Sequence, residues 1–238
     1  QAYVKIETSE NYDIFLTTHK DIVADTALGY TFDFNGDGYI EAPRRWNPDA
    51  ADPSFVLEFY QDTSTLLSSV IYSQSDKSLA VNIELRLDLL SAGSLRLYKG
   101  GNTTNLLTGS GGSPHPDLGL GLWRIEYDNS TSENKIYKDD VLLNTTVSGV
   151  GIARNPLAGT SLMARYDGIL NDVGLMSNAK MWINGSTKET GDLVLDMPIN
   201  DNSNTIVDYA PQIDGVLNAG TGQWINKAER YFLDFNGD

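Results

Sequence analysis

The sequence predicts an all-β protein, a jelly-roll sandwich of two antiparallel sheets, on three observations. Residues 81–89 alternate strictly: Val81, Ile83, Leu85, Leu87 and Leu89 face one way, and Asn82, Glu84, Arg86 and Asp88 the other. A period of two sustained over nine residues fits a strand and no helix face. Short apolar runs recur along the whole chain, separated by Gly-, Asn-, Asp- and Pro-bearing turns. No stretch carries helical spacing for more than two turns, so many short strands must pack face to face.

Residues 1–28 form a lead-in segment, with a short strand over 12–16 and weak helical spacing over 21–28. The β-rich unit spans 29–230 and opens with residues 29–42, GYTFDFNGDGYIEA. Asn35-Gly36 and Asp37-Gly38 tolerate positive φ, so a hairpin turn between two strands is expected there. Residues 43–53 read as a loop around Trp46. Phe55, Leu57 and Phe59 then alternate with Val56, Glu58 and Tyr60, and residues 66–73 offer a further strand. After 81–89, residues 94–99 repeat the pattern through Leu95 and Leu97. Residues 100–121, rich in Gly, Ser, Thr and Asn, read as one long exposed loop. Residues 122–128 and 135–142 form a strand and a hairpin around Asp139-Asp140; strands over 162–166, 167–176, 180–183 and 192–198 follow. Tyr30, Asp33, Phe34, Asn35, Gly36 and Asp37 recur as Tyr231, Asp234, Phe235, Asn236, Gly237 and Asp238. Residues 231–238 are therefore either the start of a truncated second repeat or a closing strand that neighbours the first.

Composition narrows the function. Seventeen basic and 32 acidic residues give a formal charge of −15, which repels nucleic-acid backbones and anionic membranes. No run of 18 apolar residues offers a membrane span. With no cysteine, disulfides, thiolate nucleophiles and thiolate zinc sites are excluded. The opening at Gln1 reads as a processed terminus or a piece of a longer chain.

Several landmarks resemble one family. The 29–42 strand–turn–strand, the strand bearing Trp123, Ile125 and Tyr127, the following 135–142 hairpin, the Gly168-Ile169…Asp172-Val173…Leu175 strand, the DLVLDMP run at 192–198 and the Asp208-Tyr209-Ala210…Gly215-Val216-Leu217-Asn218 tail are similar to those of laminin-G-like domains of the concanavalin A-like lectin/glucanase superfamily. The resemblance covers residues 29–230 and lies in patterned strands and turns. It implies a non-catalytic glycan-binding or adhesion module of a larger extracellular, cell-surface or virion-surface protein, of phage tail-fibre or bacterial adhesin type. Its partner would be a glycan or cell-surface polysaccharide, with copies of itself or neighbouring domains as further partners. A structural or decoration domain binding only protein is the second reading, and a glycanase the third.

The residues offer chemistry in three places. Asp33, Asn35, Asp37 and Glu41 set oxygen ligands at alternate positions around a glycine turn, a pattern that can wrap Ca²⁺. An EF-hand would place Glu where Arg44 stands, so that motif is excluded, and a plain turn with Asx side chains on local backbone is the competing reading. The family resemblance adds that a structural Ca²⁺ is common there; Asp128, Asp167, Asp172 and Asp208 are further acids of no diagnostic spacing. For catalysis the superfamily's E-x-D-x-E string is missing. Glu84-Leu85-Arg86-Leu87-Asp88 is nearest and reads as the polar side of a strand; a carboxylate pair from separate strands would serve equally. His19 and His115 are far apart and read as surface residues.

For sugar, an aromatic ring beside amides or carboxylates is needed. Trp46 and Trp224 in loops and Tyr60, Tyr98 and Tyr137 in the polar phase of strands are the aromatic candidates, each with plain packing as its alternative, and Asn102, Thr103, Asn105 and His115 in the 100–121 segment could form one wall of a site. Trp123 fits the core. Asn102, Asn129, Asn144 and Asn184 lie in N-x-S/T sequons that Asn-rich turns produce by chance.

Overall fold

The computed structural model describes residues 30–46, 53–63, 68–76, 83–100, 102–110, 113–148, 158–164, 173–200, 202–210 and 214–226. The 1–28 lead-in, the 231–238 motif, Asp167 and Asp172 lie outside the described residues.

The described residues form sixteen strands: β1 (Tyr30–Asn35), β2 (Tyr39–Ala42), β3 (Phe55–Asp62), β4 (Ser69–Asp76), β5 (Ile83–Leu90), β6 (Ser94–Lys99), β7 (Asn102–Leu107), β8 (Leu120–Asp128), β9 (Glu133–Lys138), β10 (Val141–Val147), β11 (Ala158–Leu162), β12 (Val173–Ile183), β13 (Asp192–Pro198), β14 (Thr205–Ile206), β15 (Gly215–Asn218) and β16 (Gln223–Asn226). They build a jelly-roll sandwich of two antiparallel sheets. The first sheet runs β10-β9-β8-β3-β12-β1-β16, with β13 also pairing β12; the second runs β14-β15-β2-β11-β4-β5-β6-β7. No helix among the described residues is long and apolar enough to cross a membrane.

Alternation explains the layers. Phe59 pairs with Trp123 and Leu57 with Ile125 on the inner side of the first sheet. Tyr72, Leu87 and Leu97 form a matching row in the second. These residues merge into one continuous core with Phe32, Phe34, Ile40, Leu162 and Met181. Trp123 is fully buried, as its phase predicts. Burial pushes the Tyr72 phenol above its ordinary pKa. It stays neutral and reaches across the layers, its hydroxyl 3.3 Å from Met181 Sδ. The Asp139-Asp140 turn holds both residues at positive φ, 50° and 62°, as a two-residue primed hairpin requires.

Two expectations need correction. First, β1 and β2 are not a hairpin: β1 pairs β12 and β16 in the first sheet, and β2 pairs β11 and β15 in the second. The Asn-Gly-Asp-Gly stretch is a corner between sheets. Gly36 supplies a φ of 84°, and the corner is clasped by the turn before β16. Asp37 Oδ1 accepts from the Thr221 amide at 2.8 Å and its hydroxyl at 3.0 Å, and Asn35 Nδ2 donates to the same hydroxyl at 3.0 Å. A Cβ at Gly38 would stand 2.7 Å from the Ala219 carbonyl oxygen, so only glycine allows this approach. Second, the 100–121 segment is not all loop. Residues 102–107 are the edge strand β7, with Leu106 and Leu107 buried.

A buried polar plug joins the layers. Arg45 Nη1 lies 2.8 Å from Asp208 Oδ2, and both side chains are 0% exposed. Asp208 Oδ1 also accepts the amides of Asp196 in β13 and Ala210. On the other side, Gln74 of β4 accepts the Arg45 amide and donates to the Trp46 carbonyl and to Glu84. Glu84 in turn meets Arg44. Burial holds the Arg45 pKa below its ordinary value, against the pull of Asp208. Asp208→Ala leaves that cation without its carboxylate, and a loss of about 3–5 kcal/mol is expected in urea denaturation. An Arg45→Met/Asp208→Leu double variant should recover most of it, because no buried charge is then stranded.

Candidate functional site

β5, β6 and β7 lie side by side at one edge of the second sheet, with Leu85, Leu87, Leu95 and Leu97 turned into the core. The alternate residues therefore share the opposite, outer face. The register sets Arg86 opposite Tyr98 and Asp88 opposite Arg96. It sets Tyr98 opposite Thr103 and Arg96 opposite Asn105. Two cross-strand rows result: Arg86–Tyr98–Thr103 and Asp88–Arg96–Asn105.

The side chains in these rows form a cluster. Arg86 Nε lies 2.7 Å from Asp88 Oδ1, and its Nη2 donates to Oδ2 at 3.0 Å. Arg96 Nη2 reaches the same Oδ2 at 3.3 Å. The two guanidinium carbons stand 4.1 and 4.6 Å from the centroid of the Tyr98 ring, within cation–π range. Burial raises the Asp88 pKa, and the two arginines oppose that shift. Tyr98 is half-buried; Thr103 and Asn105 are exposed. An aromatic ring, an amide, a hydroxyl and charged groups thus meet on one surface, the set of groups that sugar recognition uses.

The outer face of the first sheet carries a second aromatic and charged surface. Leu142, Tyr137, Arg124, Glu58, Lys180 and Asp196 form one row across β10, β9, β8, β3, β12 and β13. Here charge is closely balanced. Arg124 donates to Glu126 at 2.9 Å and pairs with Asp140; Lys188 bonds Glu58 at 2.7 Å; Lys180 lies 3.1 Å from Asp196. Burial works against the Arg124 charge, yet Asp140 and Glu126 outweigh it and hold its pKa above the ordinary value. The Arg124 guanidinium lies 4.3 Å from the Tyr137 ring centroid.

The other sequence candidates scatter. Trp46 is 5% exposed and belongs to the core, because the Arg44–Arg45 plug draws its loop inward; it offers no platform. Trp224 packs edge-on against Phe32 at 5.1 Å. Tyr60 is half-buried on the first sheet, its amide bonded to Asn178 Oδ1. His115 sits beyond β7, where its amide donates to Gly93 O and its Nδ1 accepts the Asp117 amide. Asn102 opens β7 opposite Lys99, out of the Tyr98–Asn105 face. Only Tyr98, Thr103 and Asn105 among the candidates come together. Sequence reading missed Arg86, Arg96 and Asp88 as their neighbours, the half-buried Trp182 on the first sheet, and Tyr209, which is 70% exposed.

The proposed calcium ligands separate. Asp33 lies in the first sheet and Glu41 in the second, while Asn35 and Asp37 are spent on Thr221. Among the described residues no three acidic or histidine side chains gather as a metal site.

Comparison with known proteins agrees with the architecture. No family model matches the sequence, and no curated protein does. A candidate carbohydrate binding protein from Bacteroides ovatus superposes with a TM-score of 0.57 at 18% identity, over 82% of this chain and 59% of that one. The chain therefore spans about three-fifths of that protein's length. A pentraxin from Limulus polyphemus (TM-score 0.48, 11% identity, 79% and 95% covered) and the sialidase CBM40 of Ruminococcus gnavus with bound sialyllactose (0.44, 11%, 68% and 95%) also match. These likenesses concern the sandwich fold.

The corner supplies a test of the two readings of Asp37. Asp37→Ala removes two exposed hydrogen bonds, and a loss of about 1 kcal/mol is expected. Equal losses in calcium and in chelator, read by thermal melting, assign the residue to the Thr221 clasp; a loss confined to calcium assigns it to ligation.

Proposed function

We propose that this domain is a non-catalytic glycan-binding module, and that its site is the outer face of β5–β7. The observation that carries this is the convergence of the Tyr98 ring, two guanidiniums, Asp88, Thr103 and Asn105 on adjacent strands. A sugar ring lays its C–H face on an aromatic surface while its hydroxyls bond flanking polar groups. The cross-strand register fixes the spacing of those groups before any ligand arrives. The shared architecture with a candidate carbohydrate binding protein supports the same reading.

The finer context is also a proposal: a laminin-G-like adhesion module displayed outside the cell or on a virion, within a longer surface protein. The recurrence of the corner residues 201 positions later supports a tandem arrangement. In the first copy those residues include the buried Phe34 and the Thr221-bonding Asn35 and Asp37. A structural calcium stays within the proposal as the subject of the chelator test. The glycanase reading has less support. Glu58 and Glu126, acids on neighbouring strands of the first sheet, are both engaged by cations, Lys188 and Arg124.

A glycan array followed by calorimetry tests the proposal. Tyr98→Ala is expected to weaken the best glycan about tenfold or more, equivalent to ~1.4 kcal/mol, while Tyr137→Ala on the other sheet leaves affinity unchanged. The reverse pattern moves the site to the first sheet. Silence of the wild type across the array defeats the glycan reading and favours a structural domain.

A further inference from the structure

Resting on the glycan-binding reading, we propose that the β5–β7 face takes a sugar bearing a carboxylate, with Arg96 and Asn105 receiving the carboxylate and Tyr98 the sugar ring.

The cluster holds two guanidiniums and one carboxylate, Asp88. One arginine neutralises Asp88; the second leaves an excess positive charge, on a chain whose formal charge is −15. Several other cations are matched one for one or better. Arg124 is matched by Glu126 and Asp140, Lys188 by Glu58, Lys180 by Asp196 and Arg45 by Asp208. The β5–β7 face is a place where described cations outnumber the acids that hold them. A local positive spot on an acidic protein selects an anion at short range, while the overall field excludes polyanions that cannot fit closely.

Geometry picks out which arginine is available. Arg86 holds Asp88 by two contacts, at 2.7 and 3.0 Å, and its side chain is 8% exposed. Arg96 holds it by one nitrogen at 3.3 Å and is 28% exposed. Arg86 is the internal counter-ion; Arg96 keeps donor capacity toward the surface. Its register partner is Asn105, which is exposed and makes no side-chain hydrogen bond within the described residues. Side chains directly opposite across an antiparallel pair start about 5 Å apart. That spacing lets the two oxygens of one carboxylate bridge an arginine N–H and an amide N–H, a charge-assisted pair of bonds. The Tyr98 ring lies two residues along the same strand, and Thr103 stands opposite it. A pyranose whose carboxylate meets Arg96 and Asn105 extends its ring toward Tyr98 and a hydroxyl toward Thr103.

The test compares one oligosaccharide in three forms by calorimetry on the full chain: a uronic-acid oligosaccharide, its carboxyl-reduced neutral counterpart, and that neutral counterpart sulfated. The wild type is expected to bind the carboxylated form at least tenfold tighter than the neutral form, with the gap shrinking as salt rises. Arg96→Gln is expected to abolish the gap, bringing the carboxylated form down to the affinity of its neutral counterpart for the same variant. Asn105→Ala, at an exposed edge where folding is not at stake, should cut the gap several-fold. Asn105→Asp should reverse it. Equal or better binding of the neutral form overturns the carboxylate assignment but leaves glycan binding standing. Tighter binding of the sulfated form overturns it too, in favour of a tetrahedral anion. If none of the three binds and a broad neutral array is also silent, the underlying glycan reading falls with it.

Discussion

The sandwich depends on the buried pairing of Arg45 with Asp208. The two residues are 163 positions apart, and both side chains are withdrawn from water. Taking both charges out of water costs several kcal/mol each before any attraction is counted. The structure offsets part of this on the carboxylate side, where Asp208 accepts two backbone amides, and the Arg45 backbone amide is bonded to Gln74. Because Asp196 belongs to the first sheet and Gln74 to the second, one polar knot staples the two layers. The knot also decides the fate of Trp46. Trp46 cannot swing outward while the two arginines that precede it are tied inside.

The described chain edges are managed at the opposite side. β10 and β7 end the two sheets, and each is free of charged residues. Beside a bulge after Leu142, the exposed Asn144 reaches across to β7, where its amide donates to the Leu106 carbonyl at 2.7 Å. That bond ties the two edges to each other. It also breaks the flat ladder that an uncharged edge strand would otherwise present for pairing with another chain.

Local pattern made much of the fold legible and left the site obscure, for physical reasons. Alternation located β3, β5, β6 and β8, because a half-buried strand writes its two faces directly into sequence. Asp139-Asp140 announced its turn through tolerance of positive φ. The corner at Asn35–Gly38 was misread because a glycine turn says only that the chain bends; which strands then pair depends on Leu175, Trp224 and Ser161, far away in sequence. Trp46 was misread because a Pro- and Asp-rich loop usually stays in water, and nothing local shows that Asp208 awaits its neighbour. Tyr98 was named apart from the Thr103 and Asn105 wall. Their meeting was hidden because β7 lay inside a stretch whose Gly and Ser content masks a six-residue strand.

Part of the site was nonetheless recoverable by counting. The three-residue Ser91-Ala92-Gly93 turn fixes the β5–β6 register, and that register alone sets Asp88 against Arg96 and Arg86 against Tyr98. What counting cannot reach is the inequality between the two arginines, since it arises from depth in the fold. Arg86, on the inner strand of the trio, is surrounded; Arg96, next to the edge strand, is not. Identical side chains therefore divide into a structural counter-ion and a surface donor. That division makes the face specific: a site with both arginines equally exposed would attract any anion, and one with both buried would attract none. With one of each, the reachable charge is a single guanidinium, held in place through Asp88 and flanked by one amide and one ring, and a ligand must match all three at a spacing set by the sheet.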